Sequence, residues 1–496
     1  MRTNPDASAL ASNVAGLRIM RGWTIGQTAA AIGIAFLAVL IGALSAISPF
    51  IAVSLAAAAA VLALAFLAPT THLMLFVLVT AIVPFSLQNV AGAGLIPSDA
   101  LLLSGLLAGS LRLLQTPLDR RRHAVAAIMV AFFLIAAFQV LHGLQAGRGA
   151  AQVGFEFRVL LGFGAVLMAM PLLVDPQGRR RLSVGLLVVG LLLGLWGLAQ
   201  WVVNIPEINE SGIGVRAGVR YASDAKGQLQ GGLYAFPVAV LLSSAVLMSG
   251  AVRSPHIRLA VIAVLGLNLV SLLLTYERTF WAATVVGLGL VTIRAGRARR
   301  FRAVVWGAVA CVGAFAAFAT VAPGELTAAK DRLLSIGQYG TDDSVRIRLL
   351  ETELVLAEIR ERPLAGSGLG ATIFIGRPWQ QVPPVSEWYI HNGYVWLAWK
   401  AGIIGAFLLL SVLGWAVVAR GSPSGDPLWA ALRSGSQAAL LALLISSVMF
   451  PTFNGLAITA TMGVLAAIAF SCRPPTDGQG AVVNRQRKPA HRSVGT

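Results

Sequence analysis

The stretch AVAAIMVAFFLIAAFQVLH, residues 124–142, follows Arg120, Arg121, Arg122 and His123. Its nineteen residues include no Asp, Glu, Lys or Arg. As an α-helix rising 1.5 Å per residue it would be about 28 Å long, close to the thickness of a bilayer's hydrocarbon core. Arginines packed at one end of such a run mark the end retained in the cytoplasm. The same pattern recurs in both directions along the 496-residue chain. Only 12% of its residues are charged and 57% are hydrophobic, whereas a soluble domain carries roughly 25% charge. A bilayer is therefore the expected solvent.

Spans are expected near 25–44, 48–67, 71–88, 98–114, 124–142, 156–174, 182–203, 231–251, 257–274, 279–294, 303–322, 391–418, 436–451 and 454–471. The expected fold is all-α, a polytopic integral membrane protein of about fourteen transmembrane helices with a large, partly helical periplasmic loop. Residues 1–24 read as a cytoplasmic arm, too long for the charged start of a signal peptide. Residues 25–322 carry the first eleven helices, with a periplasmic loop at 204–230. A second, larger periplasmic loop fills 323–390. The last three helices occupy 391–471, and a disordered cytoplasmic tail follows at 472–496.

Charge placement supports this topology. Arg18 and Arg21 precede the first span. Every second connection thereafter is basic: Arg112 with Arg120–Arg122, Arg179–Arg181, Arg253 and Arg258, Arg294 to Arg302, Arg420 and Arg433, and the tail. Only the connection at 68–71 lacks Lys or Arg. That side holds 24 Lys/Arg against 5 Asp/Glu, while the remainder holds 14 against 15. The net charge of +18 is thus a positive-inside signature, and no nucleic-acid partner is expected. Cys311 and Cys472 lie in or beside apolar segments and suggest neither a disulfide framework nor a metal site.

The large loop has internal pattern. Asp342 to Arg362 reads as a helix bearing apolar Val345, Leu349, Leu350, Leu354, Leu356 and Ile359. Asp343 or Ser344 would cap it, and Pro363 with Gly366 would end it. It would lie against the outer membrane face or the bundle. His391 and Asn392 stand where the polar loop meets an apolar helix, followed by Gly402 and Gly405. Eleven residues is about three helical turns, so His391 and Gly402 would share a face. Ala398, Gly402 and Gly405 would give that face a small-residue stripe for helix packing. His391 is a candidate base; the plain alternative is an interfacial or capping histidine.

Outward arginines are the second feature. Arg216 and Arg220 lie in the first long loop, Arg278 in the short turn Thr275-Tyr-Glu-Arg-Thr-Phe-Trp281, and Arg346 and Arg348 at the start of the loop helix. The guanidinium fork suits phosphate oxygens. Pairing of Arg278 with Glu277, or of Arg346 and Arg348 with Glu351 or Glu353, is the competing explanation. No Walker loop, dinucleotide-binding glycine motif, HExxH or DxD is present. No cofactor and no metal are expected.

Together these residues resemble the O-antigen ligase family, whose superfamily also holds bacterial polysaccharide polymerases. The family pattern is His, then Asn, Ser or Gln, nine residues, Gly, two residues, and Gly, Thr or Tyr. His391-Asn392…Gly402-Ile-Ile-Gly405 fits it. Ahead of it the family has an Arg-led helix ending in Pro-Leu-x-Gly-x-Gly-x-Gly, matched by Arg348 and by Pro363-Leu-Ala-Gly366-Ser-Gly368-Leu-Gly370. Glu277-Arg278 resembles the family's outward Ser-Arg turn, with Glu in place of Ser. Arg216 or Arg220 matches its loop arginine. Lys400 stands in a stretch where the family often has an acid.

The resemblance implies a metal-independent glycosyltransferase of the bacterial inner membrane, with both termini cytoplasmic and its active face periplasmic. It implies a glycan donor on undecaprenyl diphosphate and an acceptor hydroxyl on lipid A-core (a ligase) or on another lipid-linked glycan (a polymerase), in surface polysaccharide or lipopolysaccharide assembly. His391 would be the catalytic base. Arg278, Arg220 or Arg216, Arg348 and Asn392 would bind pyrophosphate or glycan, and Gly402 and Gly405 would serve packing. The rival reading is a secondary transporter or flippase of lipid-linked glycans, which calls for charged or broken helices near mid-bilayer; Glu156 and Arg158 lie at the start of one span and Lys400 within another, with little other charge inside the spans.

Overall fold

The computed structural model describes residues 49–82, 97–203, 233–295, 343–377, 382–420 and 426–471, with a few single positions between 300 and 334. The expected span at 25–44, the loop at 204–230, the N-terminal arm and the tail lie outside these residues. So does the span at 303–322, apart from Thr320.

The described part is all-α apart from one hairpin. Its helices are α1 (Pro49–Leu67), α2 (Pro69–Ile82), α3 (Pro97–Gln115), α4 (Arg120–Gln145), α5 (Ala150–Leu161), α6 (Ala165–Ala169), α7 (Pro176–Val203), α8 (Ala235–Ser249), α9 (Pro255–Leu273), α10 (Arg278–Arg294), α11 (Asp343–Glu361), α12 (Gly393–Val418), α13 (Pro427–Ser446) and α14 (Leu456–Phe470). Short 3-10 turns join α5 to α6 and extend α6 to Leu173. The hairpin pairs β1 (Ile373–Arg377) with β2 (Val382–Glu387), antiparallel. Six helical segments among the described residues are long and apolar enough to cross a membrane, and four shorter apolar helices accompany them. The protein is thus an all-α, multi-pass membrane protein.

Burial sorts the helices. α14, α8 and the segment from Gly162 to Leu173 are buried on nearly every face. Small residues allow this. A Cβ on Gly162 would lie 2.2 Å from Thr459 Oγ1, and one on Gly463 would lie 2.9 Å from Phe163 O. Thr459 Oγ1 donates to Val159 O at 2.8 Å, satisfying a hydroxyl within the apolar bundle. By contrast α4 exposes Val130, Leu134, Phe138 and Leu141, a stripe suited to lipid tails.

The arginine-bearing ends gather on one side. Arg121 Nη1 donates to Arg420 O at 2.7 Å, and Arg433 Nη2 to Ala419 O at 2.6 Å. Arg294 reaches Gln437 and the Val417 carbonyl, and Arg112 reaches the Phe66 carbonyl. Chain ends of α1 and α3 therefore meet, as do those of α4, α10, α12 and α13.

α13 departs from expectation. It begins at Pro427, nine residues before the predicted 436. Asp426 caps it, accepting from Leu428 N at 2.9 Å and Trp429 N at 3.2 Å, and proline suits the first helical position. Its polar first turns remain helical because Gln437 Nε2 finds the Ala416 and Ala419 carbonyls.

At the opposite end α11, the hairpin and the loop between them form a cap. The predicted helix in the large loop is present, and it packs on the bundle. Its buried face differs from expectation. Ile347, Glu351, Val355 and Ile359 are buried at four-residue spacing, while Leu349 and Leu356 are exposed. An acid thus occupies a position on the inward face.

Candidate functional site at the cap end

α12 starts where Asn392, in an extended conformation, accepts from Val395 N through Oδ1 at 3.1 Å. Asn392 is therefore an N-cap. Gly393 N donates to Ser447 O at 2.7 Å, fixing the start of α12 against the end of α13. Ile390 is fully buried, so the backbone is held on both sides of His391.

His391 meets the inward acid of α11. Glu351 Oε2 accepts from His391 N at 2.9 Å and pairs with His391 Nδ1 at 2.8 Å. The His391 side chain is 27% exposed and that of Glu351 only 6%. An ionised carboxylate can only accept, so Nδ1 carries the proton and Nε2 of a neutral ring presents its lone pair. Among the described residues Nε2 has no hydrogen-bond partner. The Glu351 carboxylate is turned to His391, forty positions away in the chain. A carboxylate orienting an imidazole through Nδ1 is the arrangement that prepares histidine to take a proton at its other nitrogen.

Arg348 lies one turn before Glu351 on α11, and it is half-buried. Arg278 opens α10 directly after a tight turn. Tyr276 in that turn is almost fully buried and has φ 52°, a left-handed conformation uncommon for an aromatic residue. Arg278 shares the cap end with His391: Phe280 packs on Phe450 with ring centroids 4.9 Å apart, and Phe450 follows Ser447, which holds Gly393. Arg216 and Arg220 lie outside the described residues.

Gly402 corrects a sequence expectation. It breaks α12, with φ 70° and ψ 167°, so the stretch from His391 to Gly402 is not followed by one continuous helical face. The glycine loop 363–370 enters the break. Ile403 N donates to Pro363 O at 3.0 Å and Ser367 N to Trp399 O at 2.7 Å, replacing bonds the helix loses. A Cβ on Gly402 would meet Leu364 O at 2.1 Å. Gly402 therefore admits a loop, whereas Gly405 faces a helix, its Cβ position lying 3.3 Å from Ile135 of α4. Gly402→Ala should cost about 1–3 kcal/mol from the left-handed backbone alone. Thermal unfolding of the detergent-solubilised protein measures this, with Gly414→Ala as control. Gly414 has open space at its Cβ, and its variant should melt with the wild type.

A polar network clamps the loop. Lys400 Nζ pairs with Glu156 Oε1 at 2.7 Å, both side chains being fully buried, and also donates to Ala371 O. Glu156 Oε2 accepts from Gly370 N at 2.7 Å. Gln139 Nε2 donates to Ala365 O at 2.6 Å and Arg148 Nη1 to Leu369 O at 3.0 Å. Glu358 Oε2 takes both Trp399 Nε1, at 2.6 Å, and Ser367 Oγ, at 3.1 Å. Four helices thus fix one loop. The charges named for the transporter reading are tied into local pairs: Glu156 with Lys400, and Arg158 with Asp99 at 3.4 Å.

Sequence reasoning passed over Glu358, and it named Glu351 only as a partner of Arg346 or Arg348 and Glu156 only as a charge bearing on transport, not as the partners of His391 and Lys400. For Glu351 a signal existed, an acid in register with Ile347, Val355 and Ile359 at four-residue spacing. Glu156 had none, because its partner lies 244 positions away.

The fold and this site define a multi-pass membrane protein whose cap end presents an acid-oriented histidine beside a loop inserted into a broken helix. The family model described as O-antigen ligase matches residues 262–410, from α9 into α12. This stretch carries Arg278, α11, the glycine loop and His391, and over it the chain is similar to an O-antigen ligase-related family. The match points to a membrane glycosyltransferase of the O-antigen ligase or polymerase type. No curated protein matches the chain.

Proposed function

We propose that the protein transfers a glycan from undecaprenyl diphosphate to a sugar hydroxyl at the periplasmic face of the inner membrane, with His391 as general base. The observation that supports this best is the Glu351–His391 pair, which leaves Nε2 available as a proton acceptor at the cap end. The arginine-rich end would then be cytoplasmic, with both termini on that side and about fourteen spans in the complete chain. The donor's carrier chain would lie among the lipid-facing helices.

In the reaction the acceptor hydroxyl gives its proton to His391 Nε2 while its oxygen bonds to the anomeric carbon. The bond from that carbon to the diphosphate breaks, and the electron pair leaves with the lipid diphosphate. Direct displacement of this kind inverts the anomeric centre. Arg278 and Arg348, with Arg216 or Arg220, would stabilise the growing charge on the leaving group. Asn392 would act chiefly by holding the start of α12, and so the position of His391.

Glycan products from a host lacking the gene, with and without the gene restored, test this reading on a gel. Single repeats on acceptor in the deletion indicate a polymerase; long chains retained on the lipid carrier indicate a ligase. Identical glycans in both strains would overturn the transferase reading. In the same assay Arg278→Lys should be within a few-fold as damaging as Arg278→Ala, because lysine lacks the planar fork. Wild-type transfer by the lysine variant would show that charge alone suffices.

A further inference from the structure

Three half-buried aromatic rings form a row that ends on His391. Phe155 and Trp388 have centroids 5.2 Å apart, Trp388 and Tyr389 5.4 Å, and Tyr389 and His391 5.8 Å. The rings meet at interplanar angles of 85°, 65° and 59°, so each presents its face in a new direction. Phe155 comes from the first turns of α5, and Trp388 and Tyr389 from the segment joining β2 to α12. At the far end the Arg158 guanidinium lies 5.1 Å from the Phe155 ring centroid and 3.4 Å from the Asp99 carboxylate. Other large aromatics here, such as Phe132, Phe163, Trp396 and Phe453, are buried in the core.

The geometry points to an acceptor-glycan track running from His391 over Tyr389 and Trp388 to Phe155, Arg158 and Asp99. This inference rests on the transferase reading above. A sugar ring offers an apolar face of C–H groups to an aromatic ring and a rim of hydroxyls to paired polar groups. A guanidinium and a carboxylate side by side donate to and accept from neighbouring hydroxyls. Successive sugars rotate about their glycosidic bonds, as the tilted rings do. Direction assigns the row to the acceptor. Displacement places nucleophile and leaving group on opposite faces of the anomeric carbon. Arg278 is reached from His391 through α13 and α10, whereas the aromatic row leaves toward α5 and α3. Trp and Tyr also anchor membrane proteins at the interface. A row that ends on the candidate base and begins at an ion pair fits a ligand better than headgroups.

The test uses the full-length protein in detergent, with lipid-linked donor and unextended acceptor both extracted from a host lacking the gene. Trp388→Ala should raise the KM for acceptor by about tenfold, with kcat at saturating acceptor and the KM for donor within twofold of wild type. Trp388→Phe should recover most of the loss. Phe155→Leu, which keeps apolar volume, should raise the same KM. Acceptor trimmed to its terminal reactive sugar should not distinguish Trp388→Ala or Phe155→Leu from wild type. Wild-type transfer with an unchanged acceptor KM in both the alanine and the leucine variants overturns the track and leaves the transferase reading standing. A fall in kcat alone, or an equal loss on full and trimmed acceptor, assigns the row to anchoring and also overturns it. Absence of transfer by the wild-type protein would instead overturn the transferase reading itself.

Discussion

His391→Ala is expected to abolish glycan transfer, lowering turnover by about 10²–10⁴-fold, the usual contribution of a positioned general base. The protein should still reach the membrane in normal amount. The fold predicts this selectivity. His391 precedes the N-cap of α12 and its side chain is partly exposed, while Asn392, Gly393 and Ile390 hold the backbone without it. Its loss frees one buried carboxylate, and Glu351 retains the His391 backbone N–H as a partner. Glu351→Gln should lower turnover by less than His391→Ala does, because the amide oxygen can still accept from both His391 N and Nδ1 while the negative charge that stabilises the imidazolium is lost. Transfer rates from membranes with matched protein levels decide the matter. Full activity in a normally expressed His391→Ala protein would remove the imidazole from the chemistry.

Lys400→Ala should destabilise the protein by about 3–5 kcal/mol, the usual consequence of leaving one member of a buried ion pair alone. Glu156 is fully buried, and without Lys400 its remaining partners are Gly370 N and Gln152. The damage should localise to the glycine loop, since Lys400 holds Ala371 and Glu156 holds Gly370. Trypsin should then cut after Arg360, exposed where α11 runs into the loop, faster than in wild type, while the Arg362–Pro363 bond stays resistant. The double variant Lys400→Met with Glu156→Gln should recover most of the stability, because no unpaired charge remains. A single variant that melts and digests like wild type would show that the pair contributes nothing to holding the loop.

Much of the architecture was legible in the chain. Most of the spans falling on described residues appear as helices within a few residues of their expected bounds, and the helix in the large loop runs over Asp343–Glu361. Where bounds were wrong, the cause was local polarity. At α13, Arg433, Ser434 and Ser436 read as loop, yet Asp426 and Pro427 start a helix whose polar side chains find carbonyls on α12. The hairpin left no signal, since its second strand contains two prolines and the pairing is short. Periodicity also misjudged α11: Leu349 and Leu356 are as apolar as any residue there, but Glu351 is the one turned inward to His391.

By itself the sequence determined that the chain enters a membrane many times, and which ends of its helices carry the arginines. Both follow from transfer free energies that each segment meets alone: an apolar run prefers hydrocarbon, and an arginine cluster resists crossing it. Only the tertiary structure decided which acid faces His391, which base meets Glu156, and that Gly402 opens a helix to receive a loop. Those pairings join residues forty to 244 positions apart. Desolvating a charge requires one particular partner at hydrogen-bond distance, and no local pattern specifies which of the chain's acids will arrive there.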